Sequence, residues 1–475
     1  MPETSKRSLS TAKIVFLVVA AAAPLVAMAG TVPLSIGIGN GVGVPGTYLI
    51  ATVTLLLFAV GYAAMARIVT RGGGFYTYVA EGLGRPAAAA GAVFAMVAYN
   101  ALVAALAGGV GYFLTSGLGL PLPWWVCSLA GVALMAFLGY RRIDLSARLL
   151  MVLIIAEIVV LSVFDIAVMI ELGGRAFTWS SFSPHEIFSG APGVALMFAF
   201  GSFFGFEAAA LYAEESKDPA RTVPRATYAA VLVIGGFYLF TSWMMIGAIG
   251  ADRAREQAAD HSGELFLDLS ADKLGDIASA LFGLMVITSV FASLLSAHNA
   301  TSRYLLTMGR DGLLPSALGR THPTYGSPYV ASRAQAVLIA VVVAVFAVLG
   351  LDPYRQLVSV MSGLSTLGII LLQTLASVAI VVFFRRRRDP RVFATIVAPV
   401  LACVGMALAT YFLFANFDVL ADSHNPVMLS MPWVVLALGV IAALYVARLA
   451  RTSPERYRRL GNAIDSSTSL EGVTQ

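Results

Sequence analysis

Charge is scarce in this chain. Only 12% of its 475 residues are Asp, Glu, Lys or Arg, about half the share found in ordinary soluble domains. That shortage excludes a well-solvated globular surface. With 59% hydrophobic residues and a mean hydropathy of +0.83, a soluble core could not take up so much apolar surface. Cysteine is nearly absent: Cys127 and Cys403 both fall inside apolar runs, which excludes a disulfide framework and leaves redox chemistry unexpected. No second His or Cys stands at ligand spacing from His298, so neither a metal site nor a cofactor is expected. Gly72, Gly73 and Gly74 form a glycine run, but no Gly-Lys-Ser/Thr follows, so no ATP-driven step is expected within the chain.

What the chain does have is a succession of hydrophobic runs from Ile14 to Val446, each near the ~20 residues that cross a bilayer as a helix. Twelve spans are predicted, at 14–38, 47–66, 87–115, 123–140, 148–172, 190–213, 226–250, 277–307, 332–350, 357–384, 393–415 and 430–449. The first follows Lys6, Arg7 and Lys13 without a small-residue cleavage site and is expected to be retained. A net charge of +5 with a pI near 9.2 could suggest nucleic acid, but the positions of the charges give a simpler account. Of 31 basic residues, only Arg175, Arg253, Arg255, Lys273 and Arg355 fall on one side of the twelve-span arrangement. The positive-inside rule then puts both termini in the cytoplasm and the protein in the inner (plasma) membrane, with lipid as its solvent and no nucleic-acid partner.

The expected organisation is a cytoplasmic N-terminus (1–13), a first five-helix unit (14–172), a second (190–384), two further helices (393–449) and a mobile cytoplasmic tail (450–475). The stretch 71–86 reads as a cytoplasmic loop with a short amphipathic helix. The connection from Ala251 to Asp276, with seven carboxylates against three basic residues, reads as a solvated face that could hold a surface helix. Two spans look breakable. The first contains Pro24, Gly30 and Pro33 and is expected to break near Ala29 to Thr31; the sixth contains Gly193, Gly201 and Gly205 ahead of Glu207. Backbone freed inside a membrane must be satisfied by protein, water or ligand, so paired breaks in spans one and six mark either a binding site near the midplane or glycines used only for packing.

No Lys or Arg falls in the middle of a span, and the acidic residues placed at depth are Glu157, Asp165 and Glu207. Glu157 lies nine residues after Arg148, about 13 Å along a helix, near the bilayer centre. It is either a proton-carrying carboxyl or a structural one. Asp165 is expected near the outer interface in an ordinary solvated role. Glu207 faces the second break, where it could orient backbone, attract a substrate ammonium or sense protonation. His298 is either a proton carrier, by its near-neutral reference pKa, or, as a lone His on a packed helix more often is, a satisfied core residue.

The stretch Phe203-Phe204-Gly205-Phe206-Glu207, followed by Glu214-Glu215-Ser216-Lys217-Asp218-Pro219-Ala220-Arg221-Thr222-Val223-Pro224-Arg225-Ala226, resembles the amino acid/polyamine/organocation permeases. Three further stretches agree: Gly73-Gly74-Phe75-Tyr76-Thr77-Tyr78, Asn299-Ala300-Thr301-Ser302-Arg303-Tyr304, and Met308-Gly309-Arg310-Asp311-Gly312-Leu313-Leu314-Pro315. The resemblance implies an all-α membrane protein of the leucine-transporter-type fold, with five helices repeated inverted and two added, and alternating access around a central site. It implies transport of an amino acid or related amine, driven by protons or by exchange, and not an enzyme; a membrane sensor of the same fold is the alternative. The substrate positions it implies are Ala29, Gly30 and Thr31 in the first span and Phe200, Gly201, Ser202, Phe203 and Phe204 in the sixth, with Glu157 and Glu207 as coupling residues. Relatives commonly carry Gly-Ser-Gly where this chain reads Ala29-Gly30-Thr31. An aromatic gate usual six residues before the glutamate is replaced here by Gly201, which shifts the gate to Phe200, Phe203 or Phe204. Several proton-coupled relatives carry a Lys where this chain has Glu157, so the charge is reversed.

Overall fold

The structure is a computed structural model that describes residues 10–69, 74–141, 147–206, 219–310 and 312–459. Among them there is no strand, and nine helices are long and apolar enough to cross a membrane. The outward surface fits lipid. Val348, Ile277 and Ile170 are 80% or more exposed, and many further Leu, Val, Ile and Phe side chains stand open around the bundle, a pattern that water would penalise and hydrocarbon does not.

The chain opens with α1 (Thr11–Ala22) and α2 (Pro24–Gly30). After an irregularly wound segment from Val32 to Gly43, wide over Ser35 to Asn40 and tight only over its last three residues, it continues as α3 (Val44–Ala66) and α4 (Gly74–Leu83). Then come α5 (Arg85–Tyr112), α6 (Trp124–Tyr140) and α7 (Ala147–Leu172). The second half holds α8 (Pro192–Gly201) and α9 (Pro219–Ile249). Two short helices, α10 (Ala254–His261) and α11 (Leu265–Leu274), precede α12 (Asp276–Arg310) and α13 (Tyr329–Val348). The chain closes with α14 (Ser359–Arg387), α15 (Ala398–Ala415) and α16 (Pro426–Thr452).

Helices α5 and α14 run against each other through the middle of the bundle, and α3 packs along α9. The stretch expected to carry a short amphipathic helix does so as α4, whose Phe75, Tyr78 and Val79 are buried and which lies along α14. The acidic connection after α9 folds as α10 and α11. Leu265, Phe266 and Leu269 of α11 are buried, so only part of it is a solvated face.

The first span does not break only where its glycine suggests. The sharpest interruption is at Ala23, in left-handed backbone with φ 44° and ψ 73°, between α1 and α2. The cause is Pro24: its ring lacks an N–H and crowds the preceding turn, so the chain leaves the helix before it and Pro24 becomes the first residue of a new one, where a missing donor is harmless. A milder distortion falls at Thr31, with φ −123°, two residues ahead of Pro33. In the sixth span α8 ends at Gly201, and the chain turns through Ser202 to Phe206 with Gly205 at φ 103°.

Candidate functional site

The two interrupted segments meet around one tyrosine. The Tyr48 hydroxyl on α3 lies 2.9 Å from Ser202 Oγ, with the Thr31 side chain also beside it. Ser202 donates its own proton to the Phe198 carbonyl at 2.8 Å, so Tyr48 is the donor in the pair. Thr31 Oγ1 donates to the Ala27 carbonyl, also at 2.8 Å. Ala29, Gly30, Phe200 and Phe203 are buried, whereas Gly201 and Phe204 are half-buried. Of the three candidate gate rings, Phe204 is therefore the least covered. It stands edge-on to Tyr99 of α5, 4.9 Å between centroids, and Tyr99 in turn stacks on Tyr304 of α12 at 6.2 Å. Glu207 lies outside the described residues, as does most of the loop that carries the family-like signature.

The backbone released around the first break is taken up by three side chains, Tyr238, Glu157 and Tyr354. The Tyr238 hydroxyl on α9 donates to the Ala22 carbonyl at 3.0 Å. Glu157 on α7 accepts the Leu25 N–H at its Oε2, 3.1 Å away, and the Ser289 hydroxyl of α12 at its Oε1, 2.5 Å away. Glu157 is buried, 4% exposed. Tyr354, just ahead of α14, donates to the Gly30 carbonyl at 2.9 Å. Each of these bonds answers a group that would otherwise be orphaned in a low-dielectric interior. An apolar cavity of about 360 Å³, lined among others by Pro24, Ile158, Val233 and Tyr238, abuts the break.

Sequence reasoning missed Tyr48, Tyr238, Ser289 and Tyr354. Their only signal was a hydroxyl inside an apolar run, and that does not say which carbonyl or carboxylate it will meet. Asp165 departs from expectation in the other direction. It is 2% exposed and bonded to Thr241 at 2.8 Å, and so is not a solvated residue at an interface. His298 is fully buried with its Nε2 2.8 Å from Ser332 Oγ, while its Nδ1 has no partner among the described residues, so it is only half satisfied.

Over the Tyr354 end of the site lies a polar cavity of about 350 Å³ lined by Tyr112, Asp260, Glu264, Asp352, Tyr354 and Arg355. Tyr354 stacks on Tyr112 with centroids 4.6 Å apart, and Asp352 accepts the backbone N–H groups of Tyr354 and Arg355. The Arg355 guanidinium reaches across to Ser262 Oγ at 3.0 Å and to the Ala259 carbonyl, tying the start of α14 to the α10–α11 turn. Burial and then the nearby Asp268 push the Glu264 carboxyl above its ordinary range, with His261 opposing them.

Chemically, the arrangement offers interrupted backbone, hydroxyls and one deep carboxyl, with no nucleophile–base pair among the residues that meet there. No group of three His, Cys, Asp or Glu that could hold a metal occurs among the described residues.

Comparison with known proteins gives this geometry its context. A branched-chain amino acid permease, BcaP of Bacillus subtilis (strain 168), is 27% identical over 425 residues, covering 85% of this chain and 86% of that one. The low-affinity putrescine importer PlaP of Escherichia coli (strain K12) is 26% identical over 298 residues, 60% of this chain and 63% of its own length. Among solved structures, a manganese transporter of Eremococcus coleocola, crystallised with an aromatic bis-isothiourea substituted compound, superposes with a TM-score of 0.56. It covers 94% of this chain and 96% of its own at 14% identity, a likeness of fold alone. The model of the amino acid permease family matches residues 9–443, a stretch that takes in both broken helices and the carboxyl that caps the first, and so the chain belongs to the amino acid permease family, whose members are membrane transporters.

Proposed function

We propose that this protein is a secondary permease for an amino acid or related amine, working by alternating access with proton symport or exchange. In this reading the fold is the leucine-transporter type, twelve spans with an inverted five-plus-five repeat and two added helices. Both termini lie in the cytoplasm, and neither ATP nor a cofactor takes part. The substrate sits between the two interruptions, against Ala29, Gly30 and Thr31 on one side and Phe200 to Phe204 on the other. Glu207 acts on binding. The names of the relatives supply the two substrate classes to be tried first, branched-chain amino acids and a diamine.

The observation that carries this reading is the way the first break is held. Glu157 joins α7, α2 and α12 through one carboxyl, at the point where a permease of this fold must rearrange its broken helix. The bond to Ser289 suits either protonation state, because a hydroxyl can donate to a carboxylate or accept from a carboxylic acid, while Oε2 keeps the Leu25 N–H in both. A proton can therefore come and go without losing the cap, although the strength of the tie between α7, α2 and α12 changes with it. The test is radiolabelled uptake in proteoliposomes across L-leucine, L-isoleucine, L-lysine and putrescine, with and without an inward proton gradient. Saturable uptake of at least one compound, accelerated by the gradient or by preloaded substrate, supports the proposal. Binding of a compound without its translocation would favour the sensor reading instead.

A further inference from the structure

Asp165 is a second membrane-embedded carboxyl that the site described above does not use. It lies eight residues beyond Glu157 on α7, about 12 Å along the helix and on a neighbouring face of it. Its Oδ2 has one partner, the Thr241 hydroxyl at 2.8 Å, and its Oδ1 is buried with no partner among the described residues. Glu157 differs in having a donor at each oxygen. An ionised carboxylate whose second oxygen has no donor is expensive in a low-dielectric interior, whereas a carboxylic acid can spend its proton on the threonine oxygen and leave a neutral carbonyl behind.

The surroundings supply no compensating charge. Helix α9 offers Thr241 and, three residues back, Tyr238, whose hydroxyl is committed to the Ala22 carbonyl. Helix α11 carries Asp268, Asp272 and Lys273, and the lysine is paired with Glu171 at 2.8 Å and Asp272 at 2.9 Å. Helix α12 begins at Asp276 and carries His298, bonded to Ser332; Arg175 follows α7, and Lys13 lies on α1. Apart from Thr241, none of these is hydrogen-bonded or ion-paired to Asp165, and the neighbouring Phe164 closes against Phe266 of α11, 5.2 Å between centroids.

We propose that Asp165 is a proton-binding site paired with Thr241, and that it passes its proton along α7 to Glu157. The step is a transfer and not a redox event. The O–H bond on Asp165 breaks as its proton passes to a chain of hydrogen-bonded waters admitted along α7, the far water of that chain gives up a proton to form an O–H bond on a Glu157 oxygen, the negative charge moves the other way, and Asp165 is reloaded from the side of the membrane on which the α10–α11 connection lies. Leu161, fully buried, lies one turn from each carboxyl along α7, so transfer belongs to the conformation that opens this face of α7. The relay rests on the proposed coupling role of Glu157; the proton on Asp165 does not.

Two measurements separate these parts. Infrared spectra of the lipid-reconstituted protein, with no substrate added, should show a buried carboxylic-acid carbonyl band that Asp165→Asn removes and Glu157→Gln leaves in place. Thr241→Val, which keeps the carboxyl and removes its partner, should shift that band to higher frequency, and this variant guards against a misfolded Asp165→Asn. A spectrum unchanged by Asp165→Asn overturns the proton site. In proteoliposomes, gradient-driven uptake of whichever of L-leucine, L-isoleucine, L-lysine and putrescine the wild type accumulates should fall about tenfold in Asp165→Asn while counterflow of that compound persists. Full gradient-driven uptake in that variant overturns the relay. Loss of the band in Asp165→Asn together with undiminished uptake in Glu157→Gln would sink the coupling role of Glu157 and leave the Asp165 site standing.

Discussion

Two glycines were expected to let backbone approach a ligand, and the structure separates them. A Cβ on Gly201 would sit 2.4 Å from Thr366 Oγ1 of α14, whereas a Cβ on Gly30 meets nothing closer than Val26 Cγ1 at 3.9 Å. Gly201→Ala should therefore lower thermal stability by about 1–3 kcal/mol, the usual cost of overpacking. Adding Thr366→Ala should recover most of it, and Gly30→Ala should unfold like wild type. Equal losses in the two single variants, read by thermal unfolding in detergent, would contradict this assignment. The sequence could not separate them, because the partner of Gly201 comes from a helix more than 150 residues away. The same limit explains Asp165: counting residues along a helix gives depth along its axis, but not whether α9 or solvent covers the side chain.

At the scale of the helix, the interruption expected near Ala29 to Thr31 is present at Thr31, and the sharper one before Pro24 was not foreseen. Gly30 permits distortion without demanding it, whereas Pro24 removes a donor and forces the turn ahead of it, so the stronger signal lay six residues earlier. What the sequence did not contain in readable form was the set of side chains that make the break tolerable. Glu157→Ala leaves the Leu25 N–H and the Ser289 hydroxyl without their acceptor and should cost about 1–3 kcal/mol. Glu157→Gln retains an acceptor for Leu25 and should lose less. Tyr238→Phe orphans the Ala22 carbonyl and belongs with the first of these. Thermal unfolding of the three variants in one lipid–detergent mixture checks the order, and a Glu157→Gln as unstable as Glu157→Ala would show that the carboxylate charge, not its acceptor geometry, holds the break.

Across the whole molecule, membrane character and family were legible because both are repeated many times over: hydropathy recurs in every run, and the family-like stretches are spread over most of the chain. The proposed count of twelve spans rests on runs that include interrupted ones. A broken span is made of pieces too short to cross alone, as α1 with 12 residues and α8 with 10 show. The nine spanning-length runs among the described residues count Pro24–Ala66 once and leave out the 17-residue α6 and the 10-residue α8. The proposed orientation is tested by cysteines placed at Ser216, in the loop expected inside, and at the exposed His424, in the turn expected outside. An impermeant maleimide on intact cells should label the second and spare the first; the opposite pattern would invert the topology.

In the proposed mechanism a proton on Glu157 drives transport through the broken first helix, and gradient-driven uptake in Glu157→Gln proteoliposomes tests this directly. Glutamine keeps the acceptor for Leu25 but cannot cycle a proton. With whichever compound the wild type accumulates, the variant should bind and exchange that compound at near wild-type levels. It should lose most of the stimulation by an inward proton gradient, about tenfold or more. Undiminished gradient-driven accumulation in Glu157→Gln would contradict the account and leave Glu157 as a structural cap on α2.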